Sequence, residues 1–175
     1  KFSTTSGITG ARALSTASLL PDGTVLIAGG WNSTPWTFPV PPPADAPTEL
    51  YNPVADQFEE LNTGPGRSIY HSATSLTNGK VLFAGGAPDN YGFAAESQAT
   101  LYDPVSKVFK TTGNLRLARA FHTGTLLKDG RVLITGGEDG GDGINKVWGI
   151  FSSAELYDPS TGRFADAGNM SQART

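Results

Sequence analysis

The sequence predicts an all-β protein in which one four-stranded unit occurs three times. Gly-Gly pairs begin at residues 29, 85 and 136, which gives repeat lengths of 56 and 51 residues. The apolar segments between them are short and are bounded by glycine, asparagine, aspartate and proline, as is usual for strands joined by tight turns. No segment keeps the 3.6-residue apolar period of an amphipathic helix.

The four strands of each unit, A to D, follow in a fixed order. Strand A is rich in small residues and ends at Leu20, Leu76 or Leu127. An Asx-Gly turn leads into strand B, which reads VLIA, VLFA or VLIT, so the sequence predicts a tight hairpin. Strand C reads ELY or TLY and stops at Asx-Pro, because proline cannot continue a ladder. Strand D surrounds a phenylalanine seven residues after each tyrosine, namely Phe58, Phe109 and Phe164.

Four-stranded units of about 50 residues with a Gly-Gly signature resemble kelch repeats, which are blades of a β-propeller. The resemblance covers nearly the whole chain and rests on the three Gly-Gly pairs together with Tyr51, Tyr102 and Tyr157. Phenylalanine replaces the tryptophan that kelch repeats usually carry after the tyrosine. The sequence therefore resembles a divergent, bacterial kelch-like branch near the galactose-oxidase type of propeller.

The chain is expected to be a partial propeller, not closed within its 175 residues. The predicted parts are a lone outer strand at 1–11, blades at 12–63, 67–114 and 119–170, and the start of a next repeat at 171–175. Closed propellers have four to eight blades. We therefore expect either the remainder of a longer propeller or a homo-oligomer that closes the ring, for example with six blades.

Composition excludes several classes of function. A net charge of −3 with 13 dispersed lysines and arginines does not make a nucleic-acid surface. No apolar run is long enough for a transmembrane helix. The absence of cysteine excludes disulfides and thiol catalysis, and two histidines are too few for a multi-histidine metal centre. The sequence predicts no cofactor and no catalytic residue.

The connections between strands B and C are long and differ from blade to blade, and they hold all three tryptophans. Variable loops on a rigid frame are frequent binding sites, and exposed aromatic rings stack on sugars and partner side chains. The alternative is that these rings are buried in small local clusters. The candidate ligand-binding aromatics are Trp31, Trp36, Phe38, Tyr91, Phe93, Trp148 and Phe151.

Other repeated or clustered polar residues have structural and functional interpretations. A glycine-rich loop carries Asp139, Asp142 and Asn145, which are weak calcium candidates in what is otherwise an exposed turn. His71 and His122 occupy equivalent positions at the start of strand A and are expected to be structural hydrogen-bonding groups. An arginine recurs where strand D leads into the next strand A, as a scaffold residue or part of an anion-attracting ring: Arg12, Arg67, Arg119 and Arg174.

The leading functional hypothesis is a non-catalytic module that binds a protein or glycan through the B–C loops. One alternative is a structural unit that assembles into a closed propeller. Another is the propeller fragment of a larger oxidase-like enzyme. The resemblance to copper-radical oxidases implies a cross-linked Cys–Tyr cofactor with two histidine ligands, and these residues contain no cysteine to form it. Family resemblance also suggests a secreted or cell-surface bacterial protein.

Overall fold

A computed structural model describes residues 4–9, 12–30, 47–61, 64–65, 68–88, 94–140 and 149–175. Within those ranges the chain forms 12 strands and no helix. The strands build three antiparallel four-stranded sheets, each with its strands paired in chain order. This architecture confirms the prediction of an all-β fold made of propeller blades.

The three sheets are called blades 1, 2 and 3. Blade 1 contains β1 (Thr16–Leu19), β2 (Val25–Ala28), β3 (Thr48–Asn52) and β4 (Gln57–Leu61). Blade 2 contains β5 (Ser72–Ser75), β6 (Val81–Ala84), β7 (Ala99–Asp103) and β8 (Val108–Thr111). Blade 3 contains β9 (Thr123–Leu126), β10 (Val132–Thr135), β11 (Ser153–Asp158) and β12 (Arg163–Asn169).

The short turns follow from the residues that the sequence repeats. In the β1–β2 hairpin, Gly23 has a φ of 86°, and the amide of Thr24 donates to the Asp22 carboxylate at 3.0 Å. After β3, the Asn52 side chain accepts from the amides of Val54 and Ala55 at 2.9 and 3.1 Å. Both turns lie at the same edge of the blade, which we call the turn face.

The innermost strands approach one another closely around the propeller axis, with β1 beside β5 and β5 beside β9. A side chain at Gly124 in β9 would place its Cβ 2.7 Å from Thr74 Oγ1 in β5. Close approach of this kind explains why strand A is composed largely of alanine, serine, threonine and glycine.

Most of the core lies in two apolar layers, one between each pair of neighbouring blades, and a third, smaller cluster contains Ile69, Ala87 and Ala120. Each layer packs leucines and at least one alanine of one blade against a valine, a second large apolar residue (Phe83 or Ile134) and a buried tyrosine of the next. Between blades 1 and 2 the buried members are Leu20, Leu26, Ala28, Leu50, Val81, Phe83 and Tyr102. Between blades 2 and 3 they are Leu76, Leu82, Ala84, Ala99, Leu115, Val132, Ile134 and Tyr157.

The Gly-Gly pairs join each blade to the chain segment that enters the next one. The amide of Gly86 donates to the Arg119 carbonyl at 2.9 Å, and a Cβ at Gly85 would lie 2.4 Å from that same oxygen. Both glycines have positive φ, 62° and 103°. Glycine is required here because the backbone is left-handed and because no side chain fits against the neighbouring carbonyl.

The N-terminal segment lies along blade 1 but does not form a strand over residues 4–9. Its amides still make side-chain contacts with this blade, with Ser6 N 3.3 Å from Asp56 Oδ1 and Thr9 N 2.9 Å from Glu49 Oε1. Residues 1–3, 10 and 11 of the predicted lone strand, including Phe2, fall outside the described residues.

Substituting a glycine of the pair tests this inter-blade contact. We expect Gly85→Ala to lower the free energy of unfolding by about 3 kcal/mol or more, because the added Cβ must displace the Arg119 carbonyl and its hydrogen bond. Gly23→Ala is the matched control: its φ is also positive, but nothing lies within 4 Å of the added Cβ. The control should cost only about 1 kcal/mol, from the left-handed backbone. Equal losses in urea unfolding would contradict the inter-blade explanation.

Candidate functional site

The strand ends that lead into and out of the B–C loops, and the described parts of the connections from strand D to strand A, lie at the edge of the blades opposite the turn face. We call this edge the loop face. Of the seven predicted ligand-binding aromatics, only Phe151 falls within the described residues. Outside them lie Trp31, Trp36, Phe38, Tyr91, Phe93 and Trp148.

Phe151 is half-buried and covers a buried charge. The guanidinium carbon of Arg119 lies 5.2 Å from the centroid of its ring. This distance is within the range of a cation–π contact. In this structure the ring therefore packs against the scaffold arginine at the loop face.

Arg119 is fully buried and ties three parts of blade 3 together. Its Nη1 donates to the Gly136 carbonyl at 2.7 Å, and its Nη2 donates to Ser153 Oγ and Glu155 Oε1, each at 3.0 Å. The Glu155 carboxylate also accepts from the backbone amides of Arg116 and Leu117. Buried charges are tolerated when they are paired and hydrogen-bonded in this way.

Blade 1 contains the same arrangement. Arg12 donates to the Pro47 carbonyl at 2.6 Å and pairs with Glu49, and both side chains are almost completely buried. Thr9 donates to the Glu49 carboxylate through its amide and its hydroxyl, at 2.9 and 2.8 Å. These contacts favour the scaffold interpretation of Arg12 and Arg119.

Blade 2 departs from this pattern at both positions. The Ser68 carbonyl accepts from the Gly30 amide at 3.1 Å, as the Arg119 carbonyl accepts from Gly86, so Ser68 occupies the position equivalent to Arg119. The Ser68 hydroxyl donates to the Gly85 carbonyl at 3.1 Å. Alignment of the sequence repeats placed Arg67 at this position. The structure places Ser68 there instead, and Arg67 lies outside the described residues.

The carboxylate partner is also absent from blade 2. Thr100 pairs with Phe83 across the sheet, as Glu155 pairs with Ile134, so threonine replaces the glutamate. The Thr100 hydroxyl is buried and has no hydrogen-bond partner among the described residues. Blade 2 thus replaces a buried ion pair with two hydroxyl side chains.

Glu96 adds a carboxylate beside this altered position. Its amide donates to the Gly86 carbonyl as that of Phe151 donates to Gly137, so glutamate stands where blade 3 has the covering ring. The side chain is half-buried, and burial raises the pKa of Glu96. A void of about 10 Å³ lies among Ser68, Glu96 and Thr100. This volume is enough for about one water molecule.

His71 and His122 connect neighbouring blades near the axis. His71 Nδ1 donates to the Ser68 carbonyl at 3.0 Å, so its Nε2 accepts from the Thr16 hydroxyl at 2.8 Å. His122 Nε2 lies 3.0 Å from Ser72 Oγ. Both imidazoles are buried, and burial lowers the pKa of each to about 4. A hydroxyl–imidazole pair resembles a nucleophile and base, but these pairs are closed off between blades.

Sequence reasoning missed a set of residues with strained backbone at the loop face. Leu14, Tyr70 and Phe121 each precede strand A and have positive φ values of 63°, 59° and 57°. Left-handed backbone is unfavourable for large side chains, and such strain is concentrated at functional sites. The rings of Tyr70 and Phe121 stack with their centroids 3.7 Å apart. Their only sequence signal is their position immediately before the two histidines.

The calcium candidates are only partly described. Asp139 Oδ1 accepts from the Gly149 amide at 3.0 Å, while Asp142 and Asn145 lie outside the described residues. Over the described ranges, no group of three or more histidine, cysteine, aspartate or glutamate side chains is placed to hold a metal ion.

The chain is similar in sequence and in fold to known oxidases. The chain is 34% identical over 105 residues to two galactose oxidases of Gibberella zeae, an alignment that covers 57% of the chain and 15% of each relative. A solved structure of a fungal alcohol oxidase of the AA5 family, in complex with copper, matches with a TM-score of 0.56 at 16% identity. The match covers 97% of this chain and 46% of that one. No protein-family model matches the sequence.

The fold resembles the propeller of galactose-oxidase-like proteins. The chain spans less than half the length of the proteins it resembles. The narrower assignment to kelch repeats stays a prediction from the sequence pattern.

The copper centre that this resemblance implies does not fit the residues of this chain. There is no cysteine for a cross-linked Cys–Tyr cofactor. His71 Nδ1 bonds to the Ser68 carbonyl of its own blade and Nε2 bonds to Thr16 of blade 1, while His122 is buried against Ser72 of blade 2. These groups are engaged in holding blades together, so no reaction step is assigned to them.

The lowered histidine pKa values predict a specific pH dependence of stability. As pH falls below 6.5, the unfolded chain binds protons that the folded chain, with histidine pKa values of about 4, does not. Stability should therefore decline between pH 6.5 and about 4 and should be insensitive to these groups above pH 7. The His71→Gln/His122→Gln variant should lose less stability than the wild type over this interval, as measured by urea unfolding. Identical pH profiles would contradict the assignment.

The buried ion pair of blade 3 should be intolerant of losing one partner. We expect Glu155→Gln to destabilise the protein by about 3–5 kcal/mol, because Arg119 is left buried without its counter-charge. Glu59→Gln removes a carboxylate from an exposed pair with Lys107 and should cost about 0–1 kcal/mol. Similar losses for the two variants would show that burial does not distinguish the pairs.

Proposed function

We propose that this chain is the propeller segment of a larger oxidase-like protein, and that it binds a protein or glycan ligand through its loop face without carrying out catalysis itself. The alignment with galactose oxidases, which extends over only 15% of their length, is the observation that carries the first part. The histidines engaged between blades and the absence of cysteine support a non-catalytic role for these residues.

The outer faces of the end blades support a segment that packs against further blades. Tyr102 and Leu82 are fully buried between blades. Their counterparts Tyr51 in blade 1 and Leu133 in blade 3 are only partly buried. Apolar faces of this kind are stabilised when a neighbouring blade covers them.

Rigid positioning of aromatic rings supports a binding role for the loop face. Tyr70 and Phe121 lie in strained turns that are fixed by the backbone pairing of Ile69 with Ala87 and of Ala120 with Glu138. Phe121 is 39% exposed, so one of its faces is available to a ligand. Aromatic anchors on a rigid frame lose little conformational entropy when they bind.

Self-assembly is a second candidate, favoured by the complementarity of the open faces. The exposed side of blade 1 corresponds to the side through which blade 2 packs on blade 1. The exposed side of blade 3 likewise corresponds to the side through which blade 2 packs on blade 3. Two copies could therefore repeat the contacts seen within one copy and close a six-bladed ring.

Solution mass separates these two candidates. A chain that assembles with itself should give a discrete oligomer, with twice the 18.3 kDa of the monomer for the six-bladed ring. A segment of a longer propeller should give a monomer, or aggregates without a fixed size, since its open faces await other blades. A monomer in light scattering contradicts self-assembly, and a discrete dimer contradicts the segment proposal.

The binding role is tested on a glycan array with the Tyr70→Ala/Phe121→Ala variant. We expect loss of about tenfold or more in affinity for any bound glycan, because stacked aromatic anchors dominate such contacts. The Trp31→Ala, Trp36→Ala and Trp148→Ala variants test the predicted loop aromatics in the same assay. Val54→Ala/Val105→Ala, at two highly exposed positions of the turn face, is the control. Wild-type binding in all loop-face variants would contradict this role.

A secreted or cell-surface location is part of the proposal. Among the described residues there is no helix with the length and apolar character needed to cross a membrane. The galactose oxidases named above come from Gibberella zeae and the alcohol oxidase is fungal, so these proteins lend no support to a bacterial origin.

A further inference from the structure

Corresponding tyrosines at the turn face differ in how their hydroxyl groups are satisfied. In blade 3, Tyr157 OH lies 2.8 Å from Thr112 Oγ1 of blade 2. The Gly113 amide donates to the Gly162 carbonyl at 2.9 Å beside this contact. Together these bonds close the outer part of the junction between blades 2 and 3.

At the junction between blades 1 and 2, the described residues offer the equivalent tyrosine hydroxyl no such contact. Phe58 and Phe109 are equivalent, and Leu61 and Thr112 each follow them by three residues. Leu61 therefore occupies the position of Thr112, and it has no hydroxyl to offer Tyr102. The Tyr102 hydroxyl is buried and has no partner among the described residues. Burial, with smaller contributions from Glu59 and Asp22, raises the pKa of Tyr102 to about 12. The group is thus a protonated donor without an acceptor, and an unsatisfied buried donor is unfavourable.

A cleft of about 330 Å³ opens at this same junction. Leu20, Leu50 and Phe58 form its apolar wall, and the Tyr102 side chain also lines it. The volume is at the lower end of the range for small-molecule sites. The residues that line it all belong to the described strands and short turns of blades 1 and 2.

The polar lining disfavours an anionic ligand. Its charged members are Asp22, Glu59 and Lys107. The Lys107 ammonium lies 2.7 Å from both oxygens of Glu59, so its charge is already paired. An anion entering the cleft would meet two carboxylates and no free cation.

The lining suits a ligand that has many hydroxyl groups. The carboxylates of Asp22 and Glu59 can accept from hydroxyls, and the side-chain amides of Asn52 and Gln57 can donate to them. The Tyr102 hydroxyl requires an acceptor. The apolar wall can cover the C–H face of a ring while these groups bond to its edge.

We propose that the cleft between blades 1 and 2 at the turn face binds a neutral polyhydroxylated ring, such as one sugar residue, with the Tyr102 hydroxyl donating to a ligand oxygen. The site is distinct from the loop face, so this proposal does not depend on the function proposed above.

Titration of the whole chain with single sugars tests this site. D-glucose, D-galactose and D-mannose are added separately to isotopically labelled protein, with inorganic phosphate and spermidine as anionic and cationic probes. We expect saturable binding of at least one sugar with Kd in the millimolar range, about −4 kcal/mol. Amide shifts should be centred on the β1–β2 turn and on the turns after β3 and β7.

Two variants link the binding to the unsatisfied hydroxyl. Tyr102→Phe keeps the ring and removes the donor, so sugar affinity should fall about tenfold, while the melting temperature stays the same or rises. Leu61→Thr supplies the partner that Tyr157 has in blade 3, so it should also weaken binding, and it should raise the melting temperature.

Tyr157→Phe is the matched control, since it removes a hydroxyl that is already hydrogen-bonded. It should lower the melting temperature and leave sugar binding unchanged. The proposal is overturned if no sugar binds at about 50 mM, which is well above a millimolar Kd. It is also overturned if phosphate or spermidine binds there instead, or if Tyr102→Phe and Leu61→Thr both bind sugar like the wild type.

Discussion

The structure depends on one repeated hydrogen bond. The second glycine of each Gly-Gly pair donates it to the chain segment that enters the next blade. Gly30, Gly86 and Gly137 donate to the carbonyls of Ser68, Arg119 and Arg174 at 2.9–3.1 Å. The bond requires left-handed backbone and close approach at the same residues, and glycine alone permits both. It fixes the distance and orientation between blades near the axis, so the leucines of one blade meet the tyrosine of the next. The same bond also holds the start of the connection from strand B to strand C, which belongs to the loop face.

Comparison of equivalent positions in the three blades distinguishes residues of the shared scaffold from residues that depart from it. Blades 1 and 3 share a buried arginine–glutamate pair. Blade 2 replaces both members together, with Ser68 and Thr100, which avoids leaving one charge buried without its partner. Pro65 fits the same change, since its nitrogen stands where blade 3 donates an amide to the glutamate and cannot donate. The remaining exception in blade 2, Tyr102, has no such compensation within the described residues.

The sequence was sufficient for the fold because its signals are local. Asx-Gly turns, Tyr-Asx-Pro endings and Gly-Gly pairs each act within a few residues, and their repetition fixed the blade order. The shift from Arg67 to Ser68 was not accessible, because it depends on which carbonyl faces Gly30 across a blade boundary. The cleft at the turn face was missed for a related reason. Leu61 and Tyr102 are 41 residues apart, and only the packed structure shows that Leu61 offers no hydrogen-bond partner to the Tyr102 hydroxyl.

Stability and ligand binding are coupled at the first blade junction because one hydroxyl determines both. A ligand oxygen that accepts from Tyr102 restores the hydrogen bond that Thr112 provides to Tyr157 within the protein. Since such a ligand binds only when blades 1 and 2 are packed together, it stabilises that packing in proportion to its occupancy. Leu61 therefore leaves the Tyr102 hydroxyl without the hydrogen bond that helps to close the neighbouring junction. The neighbouring junction is closed by the contact between Tyr157 and Thr112 and by the hydrogen bond from Gly113 to Gly162. At this junction an unsatisfied buried donor and an open cleft occur together, and this combination suits recognition of a ligand.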